Sequence, residues 1–390
     1  MIQIVKEMQF ELKFHILPFW MNLKDDNYGG FYGRVDKNLQ IVKDSPKGSI
    51  INSRILWAFS ASYNAFKDNN FLIYADHAYF FMKEKLLDSV NGGLYLFVDY
   101  KGDPLDKRKH INVLSYAIYG LSEYFIATNN SDVKNLAITF FNLIESKKNQ
   151  KGDYLEEFDE KWVKKDNEYL DRLGLGAEFT LNNHLHILEG YTKLFSIWPE
   201  KNLLNLIQNE LKNFEEKIFN TSSHLLNEFF DSNWQSLKEL SYYGHNLEAS
   251  WLLSYTLEVT GIKNSKIIEI IKNICIKVKK EAFNKNSVIL EKQDTKINNL
   301  RMWWVQTEAV IGFVNMYQLT SDESFLKDAE QIWTFIKYYL IDPNPNGEWF
   351  SSVSDNLTLL EETDIVDAWK GPYHNTRMCL EISRRLNGKN

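Results

Sequence analysis

One pattern recurs six times along this 390-residue chain, and it limits the possible folds more than any other feature. It opens on glycine, runs through aromatic or aliphatic residues and closes on aspartate. Gly29-Gly30-Phe31-Tyr32-Gly33-Arg34-Val35-Asp36 returns as Gly92-Gly93-Leu94-Tyr95-Leu96-Phe97-Val98-Asp99, then as Gly152-Asp153-Tyr154-Leu155-Glu156-Glu157-Phe158-Asp159. Weaker versions occupy His224 to Asp231, Ser287 to Asp294 and Gly347 to Asp355. The closing aspartates lie 63, 60, 72, 63 and 61 residues apart. Any one version is an ordinary turn, but the regular spacing marks an internal repeat whose units hold two helices and a hairpin.

The stretches between hairpins agree with this. Ile2 to Asn22 places apolar residues at helical spacing (Ile4, Val5, Met8, Leu12, Ile16) and predicts a first helix. Nearly all-apolar, aromatic-rich helices are expected to start near Asn52, His110, Phe179, His245, Met302 and Lys370. Helices with a Lys/Glu-bearing face follow near Phe71, Asp132, Lys201, Lys263 and Asp322, and the N-terminal helix supplies the sixth. A helix that is apolar all round is buried, and one with a charged face lies outside. The expected fold is therefore all-α: an (α/α)6 barrel of six helical hairpins in an inner and an outer ring, with short β-hairpin loops at one rim. No linker or composition shift divides the chain, so residues 1–390 read as one domain.

Composition narrows the function. A net charge of −7 with no basic patch argues against a nucleic-acid partner. Two cysteines, Cys275 and Cys379, do not make a disulfide framework and suit a reducing compartment. Lys6, Glu7, Glu11 and Lys13 interrupt the N-terminal apolar residues, so neither a signal peptide nor a membrane span is expected. The expectation is a cytoplasmic protein, a monomer or a weak homodimer. Aromatic residues make up 14% of the chain, enough to line a cleft as well as a core.

In such a barrel the polar residues at the inner-helix starts converge on one cavity. These are Arg54, Asn182, His184, His186, His245, Glu248, Trp303, Trp304, Glu308, Trp369, His374 and Arg377. Five of the eight histidines, counting His110, fall on inner helices or at their mouths. Each could instead cap a helix or satisfy a buried backbone group. Glu248 follows His245 by three residues, a spacing that lets a carboxylate hold an imidazole. His184 and His186 lie about 200° apart on a helix, so only one can face the cavity. His186 shares a face with Asn182 and Glu189 and is the better candidate. There is no H-E-x-x-H and no paired cysteine, so no metal site is expected. Phosphate loops, dinucleotide fingerprints and a strand-to-helix nucleophile serine are likewise missing. A cavity of Trp, Tyr, His, Arg and Glu suits a sugar, whose C–H faces stack on rings while its hydroxyls take hydrogen bonds.

Several ordered motifs carry a resemblance over essentially the whole chain. They are Leu23-Lys24-Asp25-Asp26 leading to Gly29-Gly30-Phe31-Tyr32-Gly33, and Asn52-Ser53-Arg54-Ile55-Leu56-Trp57. Asn182-Asn183-His184-Leu185-His186 and Tyr243-Gly244-His245 through Ser250-Trp251 follow. Trp303-Trp304-Val305 and Trp369-Lys370-Gly371-Pro372-Tyr373-His374-Asn375 complete the set. Together they resemble the N-acylglucosamine 2-epimerase superfamily, most closely its cellobiose 2-epimerase branch. The resemblance implies an (α/α)6 barrel that epimerises C2 of a reducing-end sugar without a cofactor. It implies His245 and His374 as the acid/base pair on opposite faces of the substrate, and His186 as an aid to ring opening. Arg54 would stabilise enediolate charge and Glu248 would orient His245. Trp304 and Trp369 match stacking positions and Asn182 a hydroxyl contact. Trp303, Glu308, Asn112 and Tyr116 are further expected substrate contacts.

One departure stands out. After Lys109-His110 the family pattern has a tyrosine and then a glutamine, where this chain has Asn112 and Leu114. That affects the hydrogen bonding of the reacting sugar, not the acid/base set. The expected substrate is a β-1,4-linked disaccharide such as cellobiose, lactose or mannobiose. The alternatives are a monosaccharide mannose 2-epimerase or aldose–ketose isomerase, a glycoside hydrolase using two carboxylates, and a sugar-binding protein without catalysis.

Overall fold

The structure, a computed structural model, describes residues 2–360 and 363–387. Helix α1 (Ile2–Glu11) runs through a π turn (Leu12–Ile16) into Leu17–Met21. The inner helices are α2 (Ser49–Phe66), α4 (Ile111–Thr128), α6 (Leu181–Ile197), α8 (Tyr243–Thr260), α10 (Trp303–Thr320) and α12 (Tyr373–Asn387). With α1, the outer helices are α3 (Asn69–Phe81), α5 (Ser131–Glu145), α7 (Lys201–Asn213), α9 (Ser265–Ala282) and α11 (Glu323–Tyr339). Each inner helix packs on the next, and α12 packs back on α2, which closes the ring. Every outer helix packs on its own inner partner, α1 on α12. The all-α (α/α)6 barrel expected from the repeat is the fold that forms. Among the described residues no helix is long and apolar enough to cross a membrane.

Composition explains the two rings. In α4 every residue from Ile111 to Tyr124 is buried, whereas α7 buries only Leu203, Ile207, Glu210 and Leu211. The turn from inner to outer helix has a local code. Lys67, Asn129 and Ser321 take the left-handed conformation that stops the inner helix. The next residue, Asp68, Asn130 or Asp322, caps the outer helix by accepting a backbone N–H. Inner helices approach closely where a side chain is missing. A Cβ on Gly120 or Gly190 would lie 2.8 Å from the carbonyl oxygen of Ser53 or Ser115 on the neighbouring helix.

The rim is a second closed ring. The strand entering each inner helix pairs with the hairpin of the following repeat. Lys47–Gly48 pairs with Phe97–Val98, Lys109–His110 with Glu157–Phe158, and Phe179–Thr180 with Phe229–Phe230. Leu240–Tyr242 pairs with Glu291–Gln293 and Arg301–Met302 with Ser352–Val353, while Val35 bridges Val366 across the closure. The first N–H of five inner helices, α2 to α10, finds its acceptor here, as in Ile111 N to Glu156 O at 3.0 Å and Leu181 N to Glu228 O at 2.9 Å. Two stalks are pinned by fully buried ion pairs, Lys47 Nζ to Asp25 at 2.6 Å and Lys109 Nζ to Asp88 at 2.8 Å.

The repeated aspartate makes one turn in four hairpins. Asp36, Asp99, Asp159 and Asp231 each accept the N–H groups of the residues two and four further on. The last two copies differ from the expected register. Ser354, not Asp355, holds the equivalent place, bonding Thr358 and followed by left-handed Leu357, while Asp355 pairs with Arg301 and Lys285. Asp294 sits at the tip of the Glu291–Gln293 and Lys296–Asn298 hairpin, itself left-handed. The expected strand at 29–36 reduces to single bridges, Lys24 to Phe31 and Val35 to Ile41.

The close helix contact supplies a test. Alanine has the higher helix propensity by about 1 kcal/mol, but in Gly190→Ala the new methyl meets backbone that cannot yield without moving a helix. Gly190→Ala should therefore lose about 1–3 kcal/mol net, read as a lower Tm. An unchanged or raised Tm would show that the ring does not depend on this approach.

Candidate active site

The inner-helix starts and the hairpin rim enclose a cavity of about 610 Å3. Arg54, Tyr116, Asn182, His186, His245, Glu248, Trp303, Trp304, Trp369 and His374 all line it. Rim residues extend it outward, among them Leu170, Arg172, Tyr242, Leu290 and Glu291. Two expected contacts do not line it. Asn112 lies fully buried behind Asn182, to which it donates from Nδ2 at 3.0 Å. Glu308 is buried behind His374. Leu114 is core.

Three imidazoles meet here, each with a carboxylate at Nδ1. His186 pairs with Glu189 at 2.9 Å, His245 with Glu228 at 2.9 Å and His374 with Glu308 at 2.8 Å. The expectation that Glu248 orients His245 is corrected: its oxygen bonds Arg377 instead, because the fold brings Glu228 from the fourth hairpin against the ring nitrogen. Glu228 is missing from the sequence-derived set. The signal for it lay in the repeat, since Glu156 holds the same place three residues before a turn aspartate and accepts Thr180 N at 2.6 Å at the start of α6. Glu228 likewise accepts Tyr242 N at 3.2 Å beside the start of α8.

The other ring nitrogens differ. His186 Nε2 meets the Tyr116 hydroxyl at 2.7 Å, and His245 Nε2 lies 3.4 Å from Asn182 Nδ2. His374 Nε2 has no hydrogen-bond partner among the described residues. Trp304 neighbours both rings, its own 5.3 Å from that of His245 and 5.6 Å from that of His374. Trp369 is backed by Tyr169, 5.3 Å away and near-parallel, with the Arg172 guanidinium 4.7 Å from its centre. His184 turns outward to Glu210 at 2.8 Å, and His110 caps α4 by accepting Asn112 N. Neither lines the cavity.

Behind the histidines lies one cation. Arg377 bonds Glu189, Glu248 and Glu308, and Tyr373 bonds both Arg377 and Glu189. Two sets, His186 with Glu189 and Glu248, and Glu248 with Glu308 and His374, are compact enough to hold a metal ion. All three carboxylates already face the guanidinium, so a second cation would have to compete with Arg377. Arg54 is different, since it donates to the Trp369 carbonyl at 2.5 Å and the Tyr116 hydroxyl at 2.6 Å and has no carboxylate partner. Its Nε is buried without a partner. It is a cation with capacity left for an anion in the cavity.

The environments push two histidines apart. Burial opposes charge on His245, but the carboxylates of Glu228 above all, with Glu248 and Glu308, together outweigh it and raise its proton affinity. Burial drives His374 well below the ordinary histidine value, with Arg377, Arg54 and His186 adding to it against Glu248. Divergent proton affinities in one cavity are what a site needs if one group is to give a proton and another to take one.

Comparison with known proteins places the chain. The family model for N-acylglucosamine 2-epimerase (GlcNAc 2-epimerase) matches residues 30–376. The cellobiose 2-epimerase of Dictyoglomus turgidum is 40% identical, covering 99% of this chain and all of the relative. That of Ruminococcus albus is 36% identical over 98% and 99%. The structure of cellobiose 2-epimerase from Bacillus thermoamylovorans superposes with a TM-score of 0.97 at 42% identity, covering 99% of this chain and 100% of that one. A D-mannose isomerase structure, at 18% identity and a TM-score of 0.86, shares the fold.

The Glu228 contact is testable by itself. Removing the carboxylate leaves burial, which lowers the His245 midpoint. In Glu228→Gln the imidazole titration followed by NMR should therefore move down by about one pH unit. An unmoved midpoint would deny Glu228 this role.

Proposed function

This chain belongs to the N-acylglucosamine 2-epimerase family, within its cellobiose 2-epimerase branch, and on that premise we propose that it epimerises C2 of the reducing-end sugar of a β-1,4-linked disaccharide. The observation that carries the reading is the pair His245 and His374, both lining the cavity and both next to Trp304, with opposite shifts in proton affinity.

The chemistry runs through the open-chain aldose. His186, bonded to Tyr116 and Glu189, is placed to pass a proton between ring and anomeric oxygens. His374 rests neutral and takes the C2 proton at Nε2, and the C–H pair becomes the C1–C2 double bond of a cis-enediolate. The negative charge moves to O1, where Arg54 offers a cation already in position, as electrostatic stabilisation requires. His245, which rests with the higher proton affinity, delivers a proton to the opposite face of C2, and the carbonyl re-forms. The reverse direction exchanges the two roles. No cofactor is needed because the carbonyl itself acidifies C2.

The cavity extends past the histidines to Leu170, Arg172, Leu290 and Glu291, which supports a second sugar ring beyond the reacting one. Of the carboxylates facing the cavity near its centre, Glu228 holds His245 and Glu248 holds Arg377, an arrangement unsuited to the two free carboxyl groups of a glycosidase.

Proton NMR in D2O with cellobiose, mannobiose and mannose tests this. The expected result is loss of the C2 proton signal of cellobiose with appearance of glucosyl-mannose. Exchange or ketose formation with mannose alone would move the activity to a monosaccharide, and no exchange with any sugar would remove the reading. His374→Asn should lower C2 exchange at least about 100-fold while sugar binding persists, and retained turnover would refute the two-histidine chemistry. Trp369→Ala should mainly raise KM, and unchanged kinetics would make Trp369 a wall residue with no part in stacking.

A further inference from the structure

Asn112 is buried, touches no cavity surface and carries a side-chain oxygen with no hydrogen-bond partner. Such an acceptor is costly unless it is used in some state of the protein. Its amide nitrogen donates to Asn182 Oδ1 at 3.0 Å, and Asn182 Nδ2 lies 3.4 Å from His245 Nε2. The other face of the imidazole is held at Nδ1 by Glu228. The series Asn112, Asn182, His245 and Glu228 therefore has one direction in this structure. Each amide N–H2 points toward His245, and Nε2 must be the acceptor, which describes the neutral ring.

When His245 carries a second proton, Nε2–H meets the Asn182 N–H2 group, donor against donor. Turning the Asn182 amide alone would set its N–H2 against that of Asn112. Turning both restores a continuous series: Asn182 Oδ1 accepts Nε2–H, and Asn182 Nδ2 donates to Asn112 Oδ1. That oxygen is free to serve because nothing else engages it. The reversal gives up the long contact of Asn112 Nδ2 with the Asn182 carbonyl at 3.5 Å and leaves that nitrogen in place of the oxygen as the unpartnered atom, a bias toward the neutral ring.

We propose that Asn112 is a positioning residue, forming with Asn182 a reversible pair of amides that follows the proton on His245 Nε2 and sets how readily that proton is held. The proposal rests on the acid/base reading of His245. It accounts for an asparagine on α4 that contacts neither the cavity nor a charge. The charged and titratable groups around the imidazole are Glu228 at Nδ1, Glu248 and Glu308 at longer range, and Tyr242, whose ring centre is 5.4 Å away. Asn182 and Trp304 are the neutral neighbours. None of these groups substitutes for an acceptor that can reverse.

The test is the His245 imidazole titration, read by NMR on histidine-labelled full-length protein without sugar and assigned with His245→Asn. Asp at position 112 is only an acceptor, so Asn112→Asp forces Asn182 Oδ1 toward His245 and should raise its midpoint by about one pH unit, roughly tenfold in proton affinity. In an Asn182→Ala background the same change should give less than about a third of that rise, because a bare charge at this position acts without the relay. Asn112→Leu adds no charge and fills the same space; losing the bias, it should raise the midpoint by about 0.3 pH unit. Equal shifts of Asn112→Asp in the two backgrounds would reduce Asn112 to simple electrostatics and overturn the proposal. An unmoved midpoint in a folded Asn112→Leu protein would overturn it as well. Should the aspartate variant fail to fold, the leucine variant alone decides. Wild-type C2 exchange in D2O is measured alongside: its absence would remove the catalytic reading, while the titrations still judge the amide pair.

Discussion

The interior of this barrel is organised around a single buried cation. Arg377, on the helix that closes the ring, has no exposed surface and reaches Glu189 of α6, Glu248 of α8 and Glu308 of α10. A charge in a dry interior survives only with partners, and three clustered carboxylates survive only with a cation. Four of the six inner helices therefore agree on position through one guanidinium. Two of its carboxylates, Glu189 and Glu308, also hold His186 and His374, so the interaction that closes the barrel sets these two cavity imidazoles as well.

The same hub explains why like motifs behave differently. His245 and His374 each present Nδ1 to a glutamate, yet their proton affinities move in opposite directions. Glu308 divides its charge among His374, Arg377 and the Trp251 indole N–H. Glu228 serves His245 and one backbone N–H, with no arginine bonded to it. A carboxylate already neutralised by an arginine does little to hold a proton on its histidine. Arg54, without any carboxylate of its own, leaves a positive field where an enediolate would form.

Some of this was readable from residue order. The glycine-to-aspartate pattern returned in register four times, because a turn that accepts its own backbone N–H groups is a local property. It failed at Asp294 and Asp355, where Ser354 performs the turn and composition alone could not choose between neighbouring residues. His186 could be preferred to His184 from helical angle, and His184 does point to Glu210. Glu248 was misassigned because it is close to His245 in sequence, while Glu228 lies seventeen positions away on a hairpin.

What the order of residues determined is what depends on period and propensity: twelve helices, their alternation of apolar and amphipathic faces, the rim of hairpins and the set of polar residues at the inner-helix starts. What only the tertiary structure decided is who pairs with whom. Asn112 was expected against the sugar and stands instead behind Asn182, and Glu308 was expected in the cavity and stands behind His374. Pairing depends on distances between helices that are remote in the chain, and those are set by ring closure and by glycines such as Gly120 and Gly190 that let backbones meet. Helical period says which face a residue occupies; how deep it lies on that face, and which charge meets it there, is settled only when the barrel closes.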